Sequence, residues 1–323
     1  MKLVLALFAL VAFAPAASDT LAFGPKDGTK LEKSFHQHIA LEKRSMTMSI
    51  GGRELPAELT ENAVFDLEFE TKVDVVDEYE KVGEGRPTRL LRTYDALTET
   101  ETTRIQMVGM PEAKEEKKEK ESALEKKSVL FRWNGEKDQF DKEWKDSKGD
   151  EELLKGLEED MDLRKLLPEK AVSKGDTWKL ELADVKELFG PGGKFAFQVK
   201  DERKEKDSNS GFEDNLKGDV ECTYDGEKEV DGMKLARIAL ACKASTSMSP
   251  DEDESVVSMT FEFDLEGELL WDATAGQFVS YELSGDVTTK LQIVQKIPVQ
   301  NEERELVIDL ELGGKVEFEG EAK

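Results

Sequence analysis

The 323 residues include 72 Asp and Glu against 46 Lys and Arg, a formal net charge of −26, with 38% hydrophobic and 7% aromatic residues. An acidic surplus of this size repels phosphate backbones and anionic headgroups, which argues against nucleic-acid binding. The length suits one large β domain or two ordinary ones, and the apolar residues fall in clean patterns that speak against general disorder.

The first residues, MKLVLALFALVAFAPAAS, place Lys2 before an apolar run from Leu3 to Phe13 and then small residues. The run is too short to span a bilayer, and Ala14 and Ala16 stand at the −3 and −1 positions of an A-x-A site. Residues 1–16 read as a signal peptide cleaved between Ala16 and Ala17. The mature chain, 17–323, reads as soluble and extracytoplasmic, periplasmic or secreted. No other segment is apolar enough to span a bilayer as a helix.

SFHQHIA holds His36 and His38, the only two histidines. Phe35, Ile39 and Leu41 share the core parity of a strand, so both histidines point to the opposite, solvated side. A zinc site there needs further ligands, which would have to be carboxylates. A metal site at His36 and His38 stands against the reading of two polar surface residues.

In AVFDLEFETKVDVVDEY, Ala63, Phe65, Leu67, Phe69, Thr71, Val73, Val75 and Tyr79 alternate with mostly charged residues. That is a long strand with one dry face and one wet face. The mixed-charge run 112–128 reads as an exposed linker or a solvated helix. DEELLKGLEEDMDLRKLLP, 150–167 with Pro168 as its stop, reads as an amphipathic helical segment with Leu153, Leu154, Leu157 and Met161 on one stripe.

Cys222 and Cys242 lie in two strands joined at Asp231-Gly232. A three-residue turn would set them opposite one another, as a disulfide requires. A two-residue turn would put them on opposite faces, leaving two separate thiols. Residues 201–211 and 249–255 are polar turns or loops without the spacing of a calcium site.

VSMTFEFDLEGELLW places Val257, Met259, Phe261, Phe263, Leu265, Leu269 and Trp271 on one face. After DATAG, Val279, Tyr281, Leu283, Val287 and Leu291 repeat the pattern. A five-residue loop, 272–276, would set Gly267 opposite Tyr281 and Gly285 opposite Phe263, aromatic rings over bending glycines. Leu306, Ile308, Leu310 and Leu312 add a last strand. A strand of roughly 50 Å in a chain this size must curve. The expected fold is mainly β (α+β): a long curved antiparallel sheet, barrel or half-barrel, with a short helical segment covering its open side. One domain is expected, the alternative being two β domains split near 112–150.

Leu167-Pro168, Val172, Gly175-Asp176 and Trp178 form the pattern L-P-x-x-x-V-x-x-G-D-x-W, followed by long alternating strands and the DATAG hairpin. This resembles a group of uncharacterised secreted or periplasmic bacterial proteins, similar in layout to lipoprotein-carrier-like half-barrels. The resemblance implies a curved sheet that cups an acyl chain under helices, and no catalytic residues.

There is no nucleophile elbow, zincin helix or phosphate loop, and no cofactor is expected. The first functional reading is therefore an exported, non-enzymatic binding protein. It would carry a lipid or other apolar ligand on Phe65, Phe69, Phe261, Phe263, Trp271 and Tyr281. The alternatives are a structural or protein-interaction component of the cell envelope, and a metal-dependent enzyme using His36 and His38.

Overall fold

The computed structural model describes residues 18–107, 109–145, 149–199, 215–248, 255–299 and 302–323. The expected signal peptide, 1–16, the polar stretch 201–211 and residues 249–254 lie outside them. The strands are β1 (Thr29–Ile50), β2 (Arg53–Glu54), β3 (Val64–Gly83), β4 (Arg86–Gln106), β5 (Lys114–Ser122), β6 (Ser128–Asn134) and β7 (Gln139–Trp144). After a short helix α1 (Glu152–Lys155) come β8 (Thr177–Glu181), β9 (Phe197–Val199), β10 (Lys217–Val230), β11 (Met233–Met248), β12 (Ser255–Asp272), β13 (Gln277–Val299) and β14 (Glu302–Ala322).

All of these strands join one curved, unclosed antiparallel sheet of 14 strands, as the alternation predicts. Its main path runs β7-β6-β4-β3-β1-β14-β13-β12-β11-β10-β8; off this path β2 pairs with β1, β5 with β4, and β9 with β5. β1 is the central member. It pairs with β3 from Thr29 to Glu42 and with β14 from Lys33 to Ile50, joining the early strands to the meander β10–β14. Period-two alternation decides the faces: Leu31, Phe35, Ile39 and Leu41 are buried on the inner side, while Lys30, Glu32, Ser34 and Glu42 are exposed.

Residues 150–199 cover part of the inner face. Besides β8 and β9, only α1 and three short 3-10 turns, at 164–166, 182–184 and 186–188, are regular there. The expected helical segment 150–167 is thus mostly irregular. Leu163 adopts a left-handed conformation (φ 54°), and the 156–158 turn exchanges backbone bonds with another segment, Glu158 N–H donating to the Gly192 carbonyl and Lys194 N–H to the Gly156 carbonyl, which breaks the helical ladder. The cover nevertheless buries its stripe: Leu154, Leu157, Met161, Leu163, Leu166, Leu188 and Phe189 join the core.

Three local expectations change. The charged run 112–128 contains a strand, β5, rather than a linker or helix. Its Lys120 sits 2.7 Å from Glu99 and 3.4 Å from Glu101 of neighbouring β4. The DATAG loop is shorter than expected, because Asp272 pairs with Gln277 and Val279 is a bulged extra residue. Gly267 therefore faces Leu283, and Gly285 faces Leu265. The aromatic ring over a glycine does occur, with a different partner: Tyr281 pairs with and covers Gly320 of β14.

Inner-face glycines let the backbones close up where the sheet bends. A Cβ at Gly267 would collide with the Glu282 carbonyl oxygen, and one at Gly314 with that of Ala40. Gly267→Ala and Gly314→Ala are each expected to destabilise the fold by about 1–3 kcal/mol, read as a lower urea midpoint. Ala at Gly28, where a Cβ meets nothing within 4 Å, is the control for strain without collision.

Candidate functional site

Three charged residues stand on the dry face of the sheet: Lys33 in β1, Asp77 in β3 and Arg92 in β4. Each has a side chain with no solvent exposure. Each interrupts an apolar inward run: Lys33 between Leu31 and Phe35, Asp77 between Val75 and Tyr79, Arg92 between Leu90 and Tyr94. Arg92 grips Asp77 with two bonds, Nε to Oδ1 at 2.7 Å and Nη2 to Oδ2 at 2.8 Å, and Lys33 Nζ reaches Asp77 Oδ2 at 2.8 Å. Burial alone would raise the Asp77 pKa, but the charges of Arg92 and then Lys33 outweigh it and hold the carboxyl at about 2.

The same cations fasten the cover. Arg92 donates to the backbone carbonyls of Glu158 (3.0 Å) and Glu159 (2.8 Å), and Lys33 donates to Asp162 Oδ1 at 2.7 Å. Tyr79 also donates its hydroxyl to Asp162, and its pKa is raised, by burial first and then by Asp162. Above the network Arg164 holds Glu159 with both Nη atoms (3.1 and 2.6 Å) and lies on the Phe23 ring. An open cleft of about 610 Å³ lies beside it, lined by Lys142, Lys155, Glu158, Glu159, Asp160 and Arg164 among others. The network spends its charges on one another and on cover carbonyls, which suits holding a shape.

The sequence-predicted site residues are scattered. His36 and His38 lie on the outer face, as their parity predicts, 3.2 Å from Glu70 and 3.0 Å from Glu68 across β1 and β3. Among the described residues no group of three or more His, Cys, Asp or Glu is arranged to hold a metal ion. Trp271, Phe263, Tyr281 and Phe261 are buried on the inner face, while Phe65 and Phe69 are half-buried. Over the buried group the cover fills the space: Phe189 packs edge-on against Phe318 (5.1 Å between centroids) and lies 5.9 Å from Phe263.

Cys222 and Cys242 are free, buried thiols, not a disulfide. The turn is the two-residue Asp231-Gly232, and a bulge between Tyr224 and Gly226 restores the common face with an offset. Cys222 faces Leu240 and Cys242 faces Val220. They are diagonal neighbours, a relation of about 7–8 Å, beyond the usual disulfide span. Burial pushes both thiols up to about 12, which keeps them in the protonated form at neutral pH.

The L-P…V…G-D-x-W segment is a structural clasp. Val172 bridges to Asp19, Gly175 N–H donates to the Tyr224 carbonyl (2.7 Å), and the Trp178 indole donates to the Leu166 carbonyl (3.0 Å).

Beyond the cover, the inner face continues without it. β3 parts from β1 after the Glu42–Asp66 pair, while β1, β14, β13 and β12 run on together. Successive cross-strand rows read Met46–Leu310–Leu291–Met259 and Met48–Ile308–Ile293–Val257. Met46, Met259, Ile308, Ile293 and Val257 are half-exposed, as are Phe65, Leu67 and Phe69 on the diverging β3. Among the described residues this end of the sheet carries an apolar face that is only partly covered.

Asp77→Asn is expected to cost about 3–5 kcal/mol, because it leaves two buried cations short of their counter-charge. The Asp77 pKa is depressed in the fold, so its contribution is full above about 3.9 and lost as pH falls through about 2. Urea midpoints between pH 5 and pH 2 should therefore fall more steeply in the parent than in the variant. His38→Ala, an exposed pair, is expected to change stability by less than about 0.5 kcal/mol in the same assay.

No family model and no curated protein matches the chain. Among solved structures, the InvG secretin-domain β-barrel of the Salmonella SPI-1 injectisome base aligns at 8% identity with a TM-score of 0.13, covering 92% of this chain and 63% of that one. Intact Ap-TbpB, with its N and C lobes, aligns at 9% identity and a TM-score of 0.08, covering 92% and 79%. Likenesses this slight carry no argument about fold or function.

Proposed function

We propose that this is an exported, non-enzymatic binding protein that takes a lipid or other apolar ligand on the uncovered end of its inner sheet face. One observation carries the reading. The apolar rows from Met46 to Met259 and from Met48 to Val257 are continuous with the core, and all their members except the buried Leu310 and Leu291 are partly exposed. A contiguous exposed apolar surface of this kind marks an interaction site more often than it marks a bare monomer. Phe65, Leu67 and Phe69, on the strand that diverges, flank the rows as a second wall.

Export rests on the apolar run and A-x-A site of residues 1–16, and it puts the ligand outside the cytoplasm. The acidic surplus disfavours an anionic headgroup, so a neutral, zwitterionic or cationic lipid is the better match. The buried aromatics Phe263, Trp271 and Tyr281 serve as the floor beneath the cover and not as the contact surface.

Native mass spectrometry of the exported protein is expected to show a lipid-sized mass excess that is lost on denaturation. Titration with a fluorescent zwitterionic lipid should show at least tenfold weaker binding for Met259→Glu and Ile293→Glu, a loss of about 1.4 kcal/mol. Glu262→Ala on the outer face is the control and should bind as the parent does. A bare mass together with no titratable binding would end this reading, as would binding indifferent to both inner-face substitutions.

A further inference from the structure

The cover is held by two contrasting sets of carboxyls. Asp77, on the sheet, has both oxygens fully bonded. On the cover, by contrast, Asp160 Oδ2, Asp162 Oδ2 and Glu187 Oε1 are buried with no hydrogen-bond partner. A dry carboxylate oxygen without a donor is expensive, and the usual remedy is a proton on the acid. We propose that Glu187 is a proton-controlled latch between the two cover segments, 157–166 and 182–189, closed while Glu187 is protonated and loosened when it ionises.

The charges that face it support this assignment. Glu187 is only 2% exposed, and its other oxygen, Oε2, lies 3.3 Å from Lys165 Nζ. That lysine side chain is 46% exposed, which weakens its pull through solvent screening. From the facing segment comes Asp160, whose Oδ1 accepts the Asp162 N–H (2.9 Å) and lies 3.4 Å from Arg164. Arg164 is already committed to Glu159 through both Nη atoms, and the neighbouring Lys186 to Glu158 at 2.6 Å. An ionised Glu187 therefore meets Asp160 with a half-exposed lysine and its own backbone N–H in support. Burial pushes the Glu187 carboxyl up to about 7, with the charge of Asp160 adding to it and Lys165 opposing. Glu159 is raised too, by burial, but it keeps both oxygens on Arg164.

The sign follows directly. A carboxyl whose pKa is higher in the docked form than the ordinary value of about 4.3 favours docking at low pH. The loss sets in as pH rises above about 4.3 and is complete above about 7. Glu187 immediately precedes Leu188 and Phe189, whose contacts seal the sheet: Phe189 on Phe263 and Phe318, and the Leu188 carbonyl taking the Tyr281 hydroxyl at 3.4 Å. Loosening the latch would uncover those inner-face aromatics. The latch stands on the cover's own geometry and does not require a ligand.

Amide hydrogen exchange of the full mature chain, corrected for the intrinsic rate at each pH, tests it. Protection of amides 164–166 and 186–189 is expected to fall on the order of a hundredfold between pH 5 and pH 8, while amides 281–291 of β13 hold steady. Glu187→Gln should leave the cover better protected than the parent at pH 8 and reduce the dependence at least tenfold, leaving only the share carried by Glu159. Lys165→Met, at a half-exposed position that spares the core, should move the transition to lower pH by removing the support for the docked cover or to higher pH by raising the Glu187 pKa. The proposal commits to the second, an upward shift. Cover protection equal at both pH values in the parent would overturn it. So would an undiminished dependence in Glu187→Gln, or a Lys165→Met transition that stays in place or moves down.

Discussion

Two cations on the dry face of a sheet can remain there only with a counter-charge held at hydrogen-bonding distance, and Asp77 supplies it to both. Moving one such ion from water into the interior costs several kcal/mol before pairing. The bidentate grip of Arg92 and the third bond from Lys33 offset that cost and keep Asp77 ionised. What remains of the donor capacity of Lys33 and Arg92 is turned upward, to Asp162 and to the carbonyls of Glu158 and Glu159. The irregular backbone of the cover is thereby satisfied by side chains where a helix would have satisfied itself.

The position of these three residues also ties the network to the topology. They lie on β1, β3 and β4, neighbours in the sheet, and β1 is the strand that joins the early strands to the C-terminal meander. The cover is therefore anchored at the seam of the two halves. From there its apolar residues reach Phe263 and Phe318 on the meander and Tyr94 on the early side, through Phe189 and Phe195. Among the described residues, no such layer reaches the distal ends of the strands, past the divergence of β3 from β1. Covered and uncovered stretches of one inner face are the arrangement from which both the binding reading and the latch arise.

Much of this was legible in the residues. The parity of Phe35, Ile39 and Leu41 correctly sends His36 and His38 outward, and the run from Ala63 to Tyr79 names its own dry face. The charges of the network left a signal as well: Lys33, Asp77 and Arg92 each break an apolar alternation at an inward position, where a solvated residue has no place. Reading the alternation only for its apolar members passes over them. The register was harder. A bulge at Val279 and another beside Gly226 each move a pairing without leaving a mark in the apolar pattern, and they separate the two cysteines and re-pair the glycines.

The sequence by itself determined the strands, their faces and the antiparallel class, because period-two patterning is a local property that each strand carries in full. It also determined the acidic surplus. Only the tertiary structure decided that 112–128 would pair as a strand, that 150–167 would be irregular, and which carboxyls would meet which cations. Those outcomes depend on residues from β1, β3, β4 and the cover converging across more than a hundred positions of chain. Nothing within any one segment specifies that convergence. It follows from the curvature of the sheet, which sets how far the cover reaches and where the apolar face is left open.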